Sequence, residues 1–380
     1  MNYSQEPSKL IGLLQQRLSS NKTPLGLFLG AGCPFAIKSE GKEASPLIPD
    51  IAGITHVVRV KLGGDKECRS LLKKLEGHFE TDSHANATVE DMLSHVRALR
   101  AVVGKGKVRG FSAEELDKLD GQICKLIVEL ASKSLPSANT PFHAMASWVN
   151  AIGGKMSVAD DAGRKPVEIF TTNYDLLIEQ AFEDLRVPYF DGFAGARKPY
   201  FDLRAMEEDC LPVRWARLWK LHGSINWWYQ AETKGVFRGA SLGEEGSRHV
   251  IHPSYHKHDE IRQMPYMAMM DRLRAFLKSP TSTLVFCGHS FQDGHLNKVM
   301  IRGLQHTQTA IAFALLFDEI SKYPEAVKLA CECSNLSLLA RDGAVISGHE
   351  FKWPTRDAGV TSSDDKESVE WRPANPEDEK

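Results

Sequence analysis

From Asn139 onward the chain alternates between short apolar runs and amphipathic stretches, a rhythm that few folds accommodate. The strand-like runs are VEIFTT, RLWKLHG, STLVFCG, AIAFALLF and LSLLA. Helical patterns follow several of them: DLLIEQAF after the first, and a helix carrying Leu296, Val299, Met300 and Leu304 after VFCGHSFQDG. Strands alternating with amphipathic helices predict a mainly parallel sheet covered on both faces. Asn139-Thr140-Pro141 is a good helix start ahead of this region.

The N-terminal part adds one strand and a block of helices. Leu10, Ile11, Leu14 and Leu18 make a helical stripe after Ser8, a candidate N-cap, and LGLFLGAG reads as a strand broken by glycines. From Val57 to Pro136 the pattern is helical and charged. Val89, Leu93, Val96 and Leu99 share one face, as do Leu116, Leu119, Ile123, Leu126 and Leu130. The expected division is therefore 1–56, the start of the α/β domain; 57–138, a helical insertion; 139–354, the rest of that domain; and 355–380, an acid-rich disordered tail.

Composition excludes some classes. With 47 basic and 49 acidic side chains, the formal charge of -2 gives no overall grip on nucleic acid or anionic lipid. The longest clean apolar run, Ala310 to Phe317, is far short of a membrane span, and the N-terminus has no signal-peptide pattern. Seven scattered cysteines read as reduced thiols of a cytoplasmic protein, and Cys331-x-Cys333 alone is a poor zinc site.

Ligands of a parallel sheet gather beyond the carboxyl ends of its strands, and four polar motifs fall there. In LFLGAGCPFAI, Gly30 and Gly32 let the backbone turn sharply and approach a pyrophosphate, although Phe35 stands where a third glycine would complete the dinucleotide fingerprint. In IFTTNYD, Asn173 and Asp175 stand between strand and helix, where turn-filling and helix-capping are the ordinary uses. LHGSINWW places His222 at a strand end, with Trp227 and Trp228 read as packing or interface residues. In LVFCGHSFQDGHLN, Gly288 and Ser290 follow a strand and Asp293 can cap the next helix; His289 and His295 read as solvated rather than metal-binding. His252, His256 and His258 read as a loop. No metal site is expected.

Together and in this order the motifs resemble the sirtuin family of NAD-consuming proteins. The resemblance rests on Gly30-Ala31-Gly32, Ile48-Pro49-Asp50, Thr171-x-Asn173-x-Asp175, His222-Gly223 and Gly288-x-Ser290. It implies a Rossmann-like α/β fold. It also implies that Gly30, Ala31, Gly32, Asp50, Thr171, Gly288, Ser290 and Asp293 bind NAD as a substrate, with Asp50 on the nicotinamide amide. Asn173 would orient the attacking water, Asp175 would support that loop, and His222 would accept a proton. An ordinary histidine pKa near about 6.5 suits that last task.

Pro34 stands where a serine is usual, and KSEGKEAS lengthens the segment before Ile48. No cysteine lies between Cys210 and Cys287, so the zinc ribbon of sirtuin deacylases is missing and no zinc is expected. The wording is closer to bacterial sirtuin-like subunits of anti-phage systems. Those are NAD hydrolases, commonly oligomeric and partnered with a HerA-type ATPase or an Argonaute. The resemblance thus implies an NAD glycohydrolase gated by a homo-oligomer or by a defence partner, with nucleic acid reached only through that partner. The helical insertion and INWWY are the expected contact surfaces. The competing readings are an NAD or ADP-ribose sensor, a scaffold subunit and a protein deacylase.

Overall fold

The computed structural model describes residues 7–19, 22–38, 45–81, 87–136, 139–154, 164–230, 232–239, 247–251 and 260–353. The expected tail, the loop of His252, His256 and His258, and most of KSEGKEAS lie outside them.

Nine strands form one sheet in the spatial order His349–Lys352, Gly343–Ile346, Leu336–Leu339, Ile311–Leu315, Thr283–Cys287, Leu25–Leu29, Glu168–Thr171, Ala216–Lys220 and Tyr189–Phe190. Every pairing from Leu336–Leu339 through to Tyr189–Phe190 is parallel. Only the two-strand edge Gly343–Ile346 and His349–Lys352 is antiparallel. The fold is α/β and Rossmann-like, as the alternating runs require.

Because successive strand residues point to opposite faces, each strand feeds two cores. Leu27, Leu29, Ile169, Leu218, Val285 and Phe313 face one core. Phe28, Phe170, Trp219, Leu284, Phe286 and Ala312 face the other. The helices α1 (Pro7–Leu18) and α2 (Gly32–Ala36) precede a block of four: α3 (Ile51–Gly64), α4 (Lys66–Thr81), α5 (Val89–Val102) and α6 (Ala113–Ala131). This block joins α7 (Pro141–Gly154) and α8 (Leu177–Asp184) in the first core. After the short α9 (Leu203–Glu208), the helices α10 (Glu260–Lys278), α11 (Gly294–His306) and α12 (Pro324–Glu332) pack into the second.

The helical block is held by its predicted stripes. Val89, Leu93, Val96, Leu116, Leu119 and Ile123 are fully buried, each stabilising by about 1.5–3 kcal/mol. Capping boxes start α5 at Thr88–Asp91 and α6 at Ser112–Glu115. In α1, Leu10 is buried and Leu14 and Leu18 pack on the core, but Ile11 is half exposed and the helix begins at Pro7, ahead of the expected cap Ser8.

A second, five-stranded antiparallel sheet is absent from the sequence reading. Its order is Ser247–Ile251, Gly223–Gln230, Gly235–Arg238, Tyr200–Phe201 and Phe193–Ala194. The strand Ala216–Lys220 of the large sheet runs through Leu221 and His222 directly into Gly223–Gln230, and Gly223 turns the corner at φ 86°. Trp227 is fully buried against Phe193 in that smaller sheet. Trp227 is therefore a packing residue, one of the two uses expected for it, while Asn226, Trp228 and Tyr229 of INWWY are half-buried.

Candidate functional site

The order of the large sheet reverses between Leu25–Leu29 and Thr283–Cys287. The chain builds outward on one side of Leu25–Leu29 first and on the other side later. Ligands of open α/β sheets bind in the crevice at such a point. Two turns leave these strands side by side, and glycines let them cross in contact. Gly32 N–H donates to the Gly288 carbonyl at 2.8 Å, and Gly30 N–H donates to the Cys287 carbonyl at 2.9 Å. A Cβ on Gly32 would stand 2.7 Å from Gly288 Cα, and one on Gly288 would stand 2.5 Å from Cys33 N. Gly288 also has φ +64°.

The third strand end joins this crossing through Asn173. Its side-chain amide donates to the Gly30 carbonyl at 3.1 Å, and its backbone N–H donates to Thr171 Oγ1 at 3.0 Å. The Thr171 hydroxyl donates to the Leu29 carbonyl at 2.9 Å and is buried. Thr171 therefore shapes the loop and offers no group to a ligand. Asp175 is also buried, accepting Leu177 N–H at 3.1 Å, and burial raises its pKa against the pull of Lys220. It supports the loop.

His222 is 3% exposed and lies between two carboxylates. Nε2 is 3.2 Å from Asp293 Oδ2, and Nδ1 is 3.5 Å from Glu90 Oε1. Burial alone would lower its pKa, but hydrogen bonding to Asp293 and Glu90 and their charge outweigh it and raise the value to about 9. The ordinary value assumed from sequence does not hold: near neutrality His222 is an imidazolium. Burial would raise the Asp293 pKa, but His222 and the N–H groups of Leu296 and His295 hold it well below the usual carboxylate range. His289 is buried among Phe28, Phe286 and Phe291, not solvated as expected. Burial pushes its pKa down to about 4.

Other expected ligand residues are occupied differently. Asp50 is exposed and caps α3, accepting Gly53 N–H at 2.8 Å; among the described residues no contact ties it to the crossing. Ser290 and Gly288 are exposed at the rim. The phosphate cradle expected at Gly30–Gly32 is internally paired, because Gly32 N–H serves Gly288 and Cys33 N–H serves Gly30 while Pro34 has none. At α11, Asp293 Oδ1 accepts the N–H groups of His295 and Leu296 at 2.8 and 3.1 Å. An anion entering there must take the place of that carboxylate.

Four residues of the site went unnoticed in the sequence. Glu90 comes from the first turn of α5 and receives the Tyr174 hydroxyl as well as facing His222. Lys220, fully buried, pairs with Glu179 at 2.8 Å and donates to the Asp175 carbonyl. A lysine inside the apolar run RLWKLHG was the available signal, since a buried ammonium needs an acid. Glu90 carried no such signal.

Among the described residues, no group of three or more His, Cys, Asp or Glu side chains could hold a metal ion, and no helix is long and apolar enough to cross a membrane. Residues 167–331 match the family described as SIR2-like domain. No curated protein matches the chain. A solved structure from work on the mechanism and regulation of Sir2 enzymes aligns at 11% identity and a TM-score of 0.37, covering 87% of this chain and 92% of its own.

Proposed function

We propose that this chain, sirtuin-like over residues 167–331, hydrolyses NAD at the nicotinamide–ribose bond to give nicotinamide and ADP-ribose. SIR2-like domains act with NAD, and the glycine crossing lies at the crevice where a dinucleotide would sit. The observation that carries the reading is the neighbourhood of His222. A buried histidine between two carboxylates closes one strand end, while Asn173 is tied to Gly30 at the next. As the C1′–N bond breaks, its electron pair leaves with nicotinamide. The water oxygen bonds to C1′, and the water's proton passes to His222. Asn173 retains a carbonyl oxygen and a second N–H for that water.

His222 must first lose the proton that its two carboxylate neighbours hold on it. Ligand hydroxyls that draw Asp293 away from Nε2 would remove one of the two carboxylates that support the imidazolium. The test is nicotinamide release by the purified chain, alone and with a HerA-type ATPase partner, for wild type and His222→Ala. Turnover abolished by the substitution supports hydrolysis.

A second reading has one observation in its favour. The proton held on His222 near neutrality suits a chain that binds NAD or ADP-ribose without cleaving it. Saturable NAD binding with no nicotinamide release in any assembly would establish that sensor reading. A role in anti-phage defence, and gating by a homo-oligomer or partner, extend the hydrolase proposal, because unrestrained NAD loss would harm the host cell.

A further inference from the structure

We propose that Glu90, on the first turn of α5, is a positioning residue for His222: its carboxylate accepts a hydrogen bond from Nδ1–H and so presents Nε2 to the reacting water. The inference rests on the hydrolase reading and adds to it a residue that neither the motifs nor the matched segment 167–331 contains.

The two carboxylates beside His222 are held differently. Glu90 is anchored from the site itself, since Oε1 receives the hydroxyl of Tyr174, the buried residue between Asn173 and Asp175. The start of α5 is fixed as well: the Thr88–Asp91 capping box sets the first turn, and Val89 N–H donates to Thr55 Oγ1 on α3 at 2.9 Å. The positive end of the helix dipole favours a carboxylate in that turn. Asp293 is the N-cap of α11: its Oδ1 takes the N–H groups of His295 and Leu296, its Oδ2 faces Nε2, and the turn before it carries the exposed Gly288 and Ser290.

A base needs one bare ring nitrogen, and the hydrogen bond at the other nitrogen decides which it is. With Glu90 accepting from Nδ1, the neutral ring is bare at Nε2, the nitrogen that now faces Asp293. The 3.5 Å separation at Nδ1 is long for a hydrogen bond, and such contacts tighten in the substrate complex. Taking the water's proton at Nε2 regenerates the imidazolium, whose charge Glu90 then balances. The helical block is thereby part of the reaction centre.

The experiment compares wild type, Glu90→Gln and Tyr174→Phe in the full chain, with its partner if turnover needs one. It measures kcat and KM for NAD, the pH dependence of kcat/KM, and the His222 titration by NMR of ring-labelled histidine. Charged or titratable groups facing the ring are Glu90 from α5, Asp293 from the loop before α11, and His289 behind that loop. Glu90→Gln is expected to lower kcat about 10- to 100-fold, as loss of an orienting partner does elsewhere. KM should stay within about threefold, while the His222 titration and the acid limb of kcat/KM move to lower pH. Tyr174→Phe should do the same to a smaller degree.

A Glu90→Gln chain with kcat within twofold of wild type overturns the proposal, as does a fall in kcat with the His222 titration unmoved. A wild type that binds NAD and never cleaves it fails the hydrolase reading, and the catalytic role of Glu90 falls with it. The shifted titration would then mark the pair as structural.

Discussion

His222 Nε2 and Asp293 Oδ2 stand 3.2 Å apart although two strands of the parallel sheet lie between the strands that deliver them. The pair sets a pH signature. With the His222 pKa at about 9 in the free chain, kcat/KM for NAD should rise through that region and not level off near the ordinary histidine value, because this parameter reports the free enzyme. Asp293→Asn removes one of the two supporting charges and should shift the rising limb to lower pH. A pH–rate series on the two proteins checks both.

Stability should follow the same pair. The folded-state pKa of His222 is raised above its unfolded value, so its contribution is complete below about pH 6.5 and is lost as pH climbs through about 9. The shift corresponds to roughly 3 kcal/mol. Urea midpoints should therefore fall between pH 6.5 and 9.5 in wild type, and much less in His222→Asn. Asp293 works in the opposite sense: its depressed pKa adds stability above the unfolded carboxylate value, lost only as pH falls through the folded one.

The glycine crossing predicts a sharp contrast between neighbours. Gly288→Ala meets both a positive φ and the backbone of Cys33, and should cost about 3 kcal/mol or more. Gly294→Ala, at the first position of α11 with nothing within 4 Å of its would-be Cβ, should be neutral or slightly stabilising. Chemical denaturation of the two variants measures the difference.

Lys220 and Glu179 offer a test of buried charge. Lys220→Met leaves Glu179 buried without its cation and should destabilise by about 3–5 kcal/mol. The double variant Lys220→Met, Glu179→Leu should recover much of that loss. Recovery of less than half would mean that the ammonium's bond to the Asp175 carbonyl matters more than the ion pair.

Legibility in the sequence followed burial. Leu25–Leu29, Thr283–Cys287 and Ile311–Leu315 are buried on both faces, so they read as continuous apolar runs. Two-residue strands such as Phe193–Ala194 and Tyr200–Phe201 have too few residues to show a period, and the longest strand of the second sheet, Gly223–Gln230, has no clean alternation of buried and exposed positions. Gly30, Asn173, His222 and Asp293 were recognisable because strand-end motifs keep their local order, and the structure brings them to one side of the sheet. Asp50 was read as a ligand residue, but an aspartate just before a helix is an ordinary N-cap, and that is how it serves α3. Glu90 looks from sequence like an ordinary first-turn acid of a helix. Its meeting with His222 depends on how the helical block seats on the sheet, which no local pattern encodes. The raised pKa of His222 was hidden for the same reason.

The parallel pairing of Leu25–Leu29 with Thr283–Cys287 has a consequence for the order of folding. The contact between Cys33 and the Cys287 carbonyl closes a separation of 254 residues. Contacts so distant along the chain form late, after the entropy of a long loop has been overcome. During synthesis the first strand can pair with Glu168–Thr171, but its other edge stays open until Thr283–Cys287 emerges. The crevice between the two glycine turns is therefore among the last features to close, and an unfinished chain lacks it altogether.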